Sequence, residues 1–436
     1  MAKIKTVQMM EIQKSSGSGS IHLPPSKSHT QRAILFALMG KGISTLYNYL
    51  HSPDIEAMLK AVEQLGATIV YRDPYQLKIL GVDGFLKTAD DVIHAGNSGQ
   101  VLRFIGALSS LLPTYTILTG DPSIRTNRPV KPLLEGIRQL KGFAVSAALD
   151  DTAPIVIKGP ILPGKITIDG QCSQAVSGFL IACSFLSGPS EITVTNAGEK
   201  PWLSLTLSWL NFLGLKYTQT NLEHFILEGK GSYAGFSYTI PGDISSAAFP
   251  IGAALATDSC ITLKNIDRNS HQGDIKLLEI LTSMGAIIEF SQKQQTVTIQ
   301  KSPPLLGGSF DVNECIDAIP ILSVLGCLCK APLILKGAHI ARKKESNRLA
   351  CMTSQLKKMG ASIEEKEDGL TIYPSSLTGT KVHSFYDHRV AMALSVAGLY
   401  ASGTTYIEEV GCIKKSYPNY TQDLGSLGFQ VREILQ

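Results

Sequence analysis

At 436 residues the chain is too long for one ordinary hydrophobic core, so two domains of roughly 200 residues each are expected. Apolar residues make up 44% and charged residues 17%, a balance that suits a soluble globular protein with large buried layers. A net charge of +4 and 7% aromatic residues exclude the strongly basic, aromatic-interleaved surface of a nucleic-acid binder.

The N-terminal stretch MAKIKTVQMMEIQKSSGSGS has no apolar run fit for a signal peptide, and no uninterrupted run of about 18 apolar residues follows it, so a cytoplasmic protein without a membrane span is expected. From Ile21 the segment IHLPPSKSHTQRAILFAL passes from a short strand, through a proline pair, into an apolar helix, with Lys27, Ser28 and Arg32 at the junction. An amphipathic helix follows in DIEAMLKAVEQLGATIVY, where glycine after leucine supplies a left-handed cap before the next strand.

This plan then recurs. Strand-to-buried-helix segments begin at Val92 (VIHAGNSGQVLRFIGAL), Ile166 (ITIDGQCSQAVSGFLIAC), Tyr238 (YTIPGDISSAAFPIGAA), Phe310 (FDVNECIDAIPILSVLG) and Val382 (VHSFYDHRVAMALSVAG), 71 to 74 residues apart. Amphipathic helices ending in a leucine- or methionine-glycine step recur in SLTLSWLNFLGLKY, GDIKLLEILTSMGAIIEF, NRLACMTSQLKKMGASIEE and YTQDLGSLGFQV. Six units, each reading strand, buried helix, strand, amphipathic helix and one or two further strands, predict an α/β fold of two domains with three units apiece. Helices apolar on nearly every side belong inside, with sheets outside. Eight cysteines without a C-x-x-C pair, two of them in the apolar run ILSVLGCLC, are expected to be buried free thiols.

The polar residues gather where strands hand over to buried helices: Lys27, Ser28 and Arg32; Asn97, Ser98, Gly99 and Arg103; Ser173 and Gln174; Asp243, Ser245 and Ser246; Asp317; Asp387, His388 and Arg389. Helix starts attract phosphate and carboxylate groups through free N–H groups and a partial positive charge. Asp243 and Ser246 fit ordinary capping, whereas the basic pairs do not. Further cations stand in TGDPSIRTNRPVKPLL (Arg125 and Arg128, in a proline-bounded loop expected to exclude regular helix), in ARKKESNRLA (Lys344, Glu345 and Arg348 at a helix start, Lys344 and Arg348 on one face) and in CIKKSYPNY (Lys414 and Lys415). Many cations on loops and helix starts of a nearly balanced chain point to a cleft for small polyanionic substrates.

The ordered series SKSHTQR, GNSGQVLR, TGDPSIRTNRP, CSQ, GDISSA, NECIDA, KKESNRLA, YDHRVAM and CIKKSYP resembles the 5-enolpyruvylshikimate-3-phosphate synthase family over essentially the whole chain. The resemblance implies a two-domain inside-out α/β barrel, with a central domain at 25–241, a discontinuous domain of 1–24 plus 242–436, and the active site in the interdomain cleft. It implies transfer of an enolpyruvyl group from phosphoenolpyruvate to the 5-hydroxyl of shikimate 3-phosphate, in the shikimate pathway to aromatic amino acids, by addition and elimination. No cofactor or metal is implied, and a monomer is the family expectation. Carried over by motif, Lys27, Asn97, Gly99, Arg128, Gln174, Arg348, Arg389 and Lys415 match positions at phosphoenolpyruvate. Lys27, Ser28, Arg32, Cys172, Ser173, Gln174, Asp317 and Lys344 match positions at shikimate 3-phosphate. Asp317 and Glu345, with Lys27, match the catalytic positions.

The chain departs from that pattern at Cys172, where serine is usual, at Glu199, where a phosphate-binding serine is usual, at Trp202 for tyrosine and at Ile340 for asparagine. The loop before Arg128 looks one residue longer than usual, and Gln100 and Phe104 also differ. A sister transferase acting on UDP-N-acetylglucosamine is the nearest rival, but its family carries a cysteine before the Arg-Pro that GDPSIRTNRP lacks. The near-neutral charge and 7% aromatic content give no sign of an RNA-binding repeat protein, and the intact set Lys27, Asp317, Glu345 and Arg389 argues against a non-catalytic scaffold. His29 receives no role.

Overall fold

The structure is a computed structural model that describes residues 8–435. Its strands form six four-stranded sheets of one plan. In the third repeat, Lys165–Asp169 leads into the buried helix Ser173–Cys183 and pairs parallel with Ser190–Thr195 beyond it. The amphipathic helix Lys200–Phe212 follows, and the hairpin Tyr217–Thr220 and His224–Leu227 then joins antiparallel. Each sheet thus joins one parallel pair to two antiparallel closing strands; the first five repeats supply both closing strands as a hairpin, and the sixth supplies one.

The chain divides into two compact units, residues 25–241 and the residues up to 24 together with those from 242 onward. At both points of passage a strand stays behind its helix. Ser18–His22 precedes the helix Lys27–Met39 in sequence but pairs with Cys260–Lys264 in the discontinuous unit. Ser237–Thr239 precedes the helix Ile244–Ala256 but pairs with Ile43–Tyr47 in the central unit. Gln8–Ile12 completes the sixth sheet, between Thr405–Glu408 and Val431–Leu435. Read along the sequence, the first and fourth repeats own their leading strands; in space they have exchanged them.

Within the central unit the core is built on the helices Lys27–Met39, Gly99–Ser109 and Ser173–Cys183, whose apolar residues are almost wholly buried. Ile244–Ala256, Ile319–Gly326 and His388–Tyr400 serve the other unit in the same way. Burying each large aliphatic side chain contributes about 1.5–3 kcal/mol, so helices apolar all round are stable only in such interiors.

Glycine caps appear where the sequence places them: Gly66, Gly214, Gly285, Gly360 and Gly428 all take φ between 69° and 108°. In the second repeat Lys141 holds that place with φ 69°. All eight cysteines are free thiols, and Cys183, Cys315, Cys327, Cys329 and Cys351 are buried. No helix among the described residues is long and apolar enough to cross a membrane.

Two local expectations are corrected. Pro122–Thr126 is a short α-helix, because Asp121 caps it and Pro122 occupies its first turn, where a missing N–H costs nothing. The helix after the ARKKES segment begins only at Arg348, capped by Asn347; Lys344 has non-helical backbone, φ −94° and ψ −149°, and shares no helical face with Arg348.

Candidate active site

In the central unit three buried helices start close together. Each of two is capped by its own serine: Ser26 Oγ accepts from His29 N at 3.4 Å and Ser98 Oγ from Val101 N at 3.3 Å. The starts are cross-linked. Gln31 Nε2 donates to Ser98 Oγ at 2.9 Å, and Arg103 Nη1 donates to Gln174 Oε1 at 3.0 Å. Lys27, in the first turn and partly exposed, has its Nζ 3.3 Å from the buried Asp54. Asn97 Nδ2 donates to Ser123 Oγ at 2.8 Å and to Asp121.

Gly99 lies under two guanidinium groups. A β-carbon there would stand 2.5 Å from Arg128 Nη1 and 2.8 Å from Arg103 Nη1. Only glycine lets these cations approach the helix start so closely. Arg128 is buried, while its neighbour Arg125 is exposed on the short helix.

Arg32 is 1% exposed. Its donors go to Thr206 Oγ1 (3.0 Å), the Ser28 carbonyl (3.1 Å) and the Trp202 carbonyl (3.1 Å), all uncharged, and its guanidinium lies 5.1 Å from the Phe104 ring centroid. Burial without a carboxylate partner pushes the Arg32 pKa down to about 9. Thr206 Oγ1 in turn donates to Ser177 Oγ at 2.9 Å, which ties this arginine to the third helix. Cys172, at the cap position of that helix, is partly exposed and makes no capping hydrogen bond. Glu199 Oε2 instead accepts from Ser173 N at 3.4 Å. His29 is buried, stacked on Tyr238 and against Trp209.

The discontinuous unit holds an alternating row of charges. Lys415 Nζ lies 2.8 Å from Glu345 Oε1; Glu345 Oε2 lies 2.9 Å from Arg348 Nη2; Arg348 Nη1 pairs with Asp317 Oδ1, whose other oxygen is 2.9 Å from Arg389 Nη2. Beneath them Asp387, fully buried, accepts from Arg348 Nε at 2.8 Å and caps the helix His388–Tyr400 through Arg389 N at 3.0 Å. Burial would raise the Asp317 pKa, but Arg389, Arg348 and Lys344 together hold it well below the usual carboxylate range. Lys415 is buried, whereas Lys414 beside it is exposed.

Asp317, Lys344, Glu345, Arg348, Arg389 and Lys415 therefore lie in one electrostatic network. In the central unit Gly99, Arg128 and Gln174 form a second group; Arg32, bonded to the Ser28 carbonyl, reaches the first turn of Lys200–Phe212 at Trp202, and Ser173 begins the helix Ser173–Cys183. Ile340 is buried and packs as an apolar residue.

Sequence reading missed Asp54 and Asp274. Asp274 is buried; it accepts from Ser245 Oγ, and burial and Asp317 push its pKa up to about 7 against the opposing pull of Arg389. Each stands in the first turn of an amphipathic segment, where an acidic residue carries no signal beyond the helix dipole.

The family model described as EPSP synthase (3-phosphoshikimate 1-carboxyvinyltransferase) matches residues 12–424. The 3-phosphoshikimate 1-carboxyvinyltransferase of Chlamydia caviae is 41% identical over 428 residues, 97% of this chain and 94% of its own. That of Chlamydia pneumoniae is 38% identical over 425 residues, with the same shares. The solved EPSP synthase of Acinetobacter baumannii superposes with a TM-score of 0.81 at 26% identity, over 98% of this chain and 100% of that one. The enolpyruvyl transferase NikO from Streptomyces tendae, at 16% identity and a TM-score of 0.79, shares the fold. The UDP-sugar transferase is not favoured by these likenesses. With six repeats, their two units and a match along nearly the whole length in agreement, the chain belongs to the EPSP synthase (3-phosphoshikimate 1-carboxyvinyltransferase) family.

Proposed function

We propose that this protein transfers the enolpyruvyl group of phosphoenolpyruvate to the 5-hydroxyl of shikimate 3-phosphate, releasing inorganic phosphate, and that it does so as a cytoplasmic monomer without a cofactor. The observation that carries the reading is the row Lys415–Glu345–Arg348–Asp317–Arg389, in which two carboxylates sit between cations suited to binding anions. Lys27, Asn97, Gly99, Arg128, Gln174, Arg348, Arg389 and Lys415 are assigned to phosphoenolpyruvate. Lys27, Ser28, Arg32, Cys172, Ser173, Gln174, Asp317 and Lys344 are assigned to shikimate 3-phosphate.

The chemistry follows from the charges. Addition forms a bond from the 5-oxygen to C2 of phosphoenolpyruvate; the hydroxyl proton goes to a carboxylate and a proton is delivered to C3. Elimination then removes a proton from C3 and breaks the C2–O bond to phosphate. Asp317 and Glu345 carry these protons, and Lys27 balances charge at the reacting carbon. An arriving phosphate and carboxylate compete for Arg348, Arg389 and Lys415. As Arg348 and Arg389 turn to substrate, Asp317 loses stabilising partners and its pKa rises toward the range useful for proton transfer.

The test is phosphate release from phosphoenolpyruvate with shikimate 3-phosphate, with UDP-N-acetylglucosamine as the alternative acceptor and a metal chelator present. Release with shikimate 3-phosphate alone is expected; release only with the UDP-sugar would sink the reading. Glu345→Gln and Asp317→Asn should each lower kcat by about 10²–10⁴-fold in protein that stays folded by circular dichroism.

A further inference from the structure

The helix Ser173–Cys183 does not cap itself. Four of the other buried helices take a cap from their own preceding residue, Ser26, Ser98, Asp243 or Asp387. Here the Cys172 side chain caps nothing, and the carboxylate of Glu199, from the start of the next helix, accepts from Ser173 N at 3.4 Å. Glu199 is 4% exposed and holds a left-handed backbone, φ 50° and ψ 37°, where glycine or asparagine would be at ease.

The same corner contains Arg32. It is buried and bonded to the Trp202 carbonyl and Thr206 hydroxyl of the helix that Glu199 begins, and its three acceptors are all neutral. A buried guanidinium without a carboxylate, beside a helix start that lacks its own cap, forms a seat for an external anion. The Ser173 N–H of that seat already holds a carboxylate of the protein.

We propose that Glu199 is an internal anion, held at the start of helix Ser173–Cys183, that a phosphate-bearing substrate must displace, and that Glu199 thereby sets affinity and specificity for that substrate. This rests on the reading that the corner receives the phosphate of shikimate 3-phosphate. Two anions at one helix start repel, so part of the attraction offered by the Ser173 N–H is spent on moving Glu199 aside. Glu199→Gln keeps the shape and an oxygen that accepts from Ser173 N, and removes only the charge.

Calorimetric titration of shikimate 3-phosphate, and of shikimate without the phosphate, into the native protein and Glu199→Gln tests this. Shikimate 3-phosphate should bind about tenfold tighter to Glu199→Gln, with shikimate unchanged, and in turnover KM for shikimate 3-phosphate should fall without a matching change in kcat. Equal binding of shikimate 3-phosphate by both proteins, or tightening of both ligands alike, overturns the proposal. If shikimate 3-phosphate binds neither protein, the substrate reading falls. Inorganic phosphate titrated into the same pair then decides the role of Glu199, with tighter binding by Glu199→Gln upholding it and equal binding overturning it.

Discussion

At the scale of single residues, the site depends on what its neighbours leave room for. A β-carbon at Gly99 would meet Arg128 Nη1 at 2.5 Å, and that nitrogen is the end of a flexible side chain, so Gly99→Ala should fold and push the guanidinium away. We expect KM for phosphoenolpyruvate to rise by about tenfold or more, with KM for shikimate 3-phosphate changing far less; steady-state kinetics with each substrate varied in turn would show the split. Asp274 offers a second test. Its proton is bound more tightly in the folded chain, with a pKa near 7 against 3.8 unfolded, so its contribution to stability is full below about pH 4 and lost as pH rises through about 7. Asp274→Asn keeps the neutral form, and should match the native protein in urea unfolding below about pH 4, then exceed it increasingly as pH rises from about 4 to about 7. Legibility also stops at this scale. Arg125 and Arg128, or Lys414 and Lys415, are chemically alike on paper, and only packing decides that Arg128 and Lys415 turn inward. The motifs of the six junctions were readable because helix starts recur at fixed spacing. Asp54 and Asp274 were not, because their neighbours come from other segments.

At the scale of elements, the repeat explains most of what sequence made visible. Six strand-to-helix junctions and five hairpins follow from apolar runs, glycine steps and short alternating strands. Expectation and structure part where a local rule has an exception: proline begins the helix at Pro122 instead of forbidding one, and Asn347 delays to Arg348 the helix expected to include Lys344. The second repeat shows a subtler exception. Its amphipathic helix Lys131–Gln139 ends like the other five, but Lys141 occupies the left-handed position that glycine fills elsewhere. A side chain there costs about 1–2 kcal/mol, partly offset by the lower entropy of the unfolded lysine chain. Lys141→Gly should therefore stabilise the protein by about 0.5–1 kcal/mol, read as a higher urea midpoint with kcat unchanged. A lower midpoint would mean that the lysine side chain contributes contacts worth more than the strain.

At the scale of the whole molecule, the exchanged strands make one unit depend on both ends of the chain. Gln8–Ile12 lies inside its sheet, with Met10 opposite Ile407 on one side and Glu433 on the other, and Met10 is fully buried. Residues 25–241, by contrast, form their three sheets from a continuous stretch. Met10→Asp would bury an unpaired carboxylate and lose the packing of methionine, together several kcal/mol, a large fraction of the roughly 5–15 kcal/mol that holds a domain folded. Hydrogen exchange should then show lost protection across residues 242–434 while the buried helices within 25–241 keep theirs, and phosphate release should vanish with the Glu345–Arg348–Asp317 row. If protection instead falls in both units together, they fold as one cooperative block, and the division of the chain would be one of shape without independence in stability.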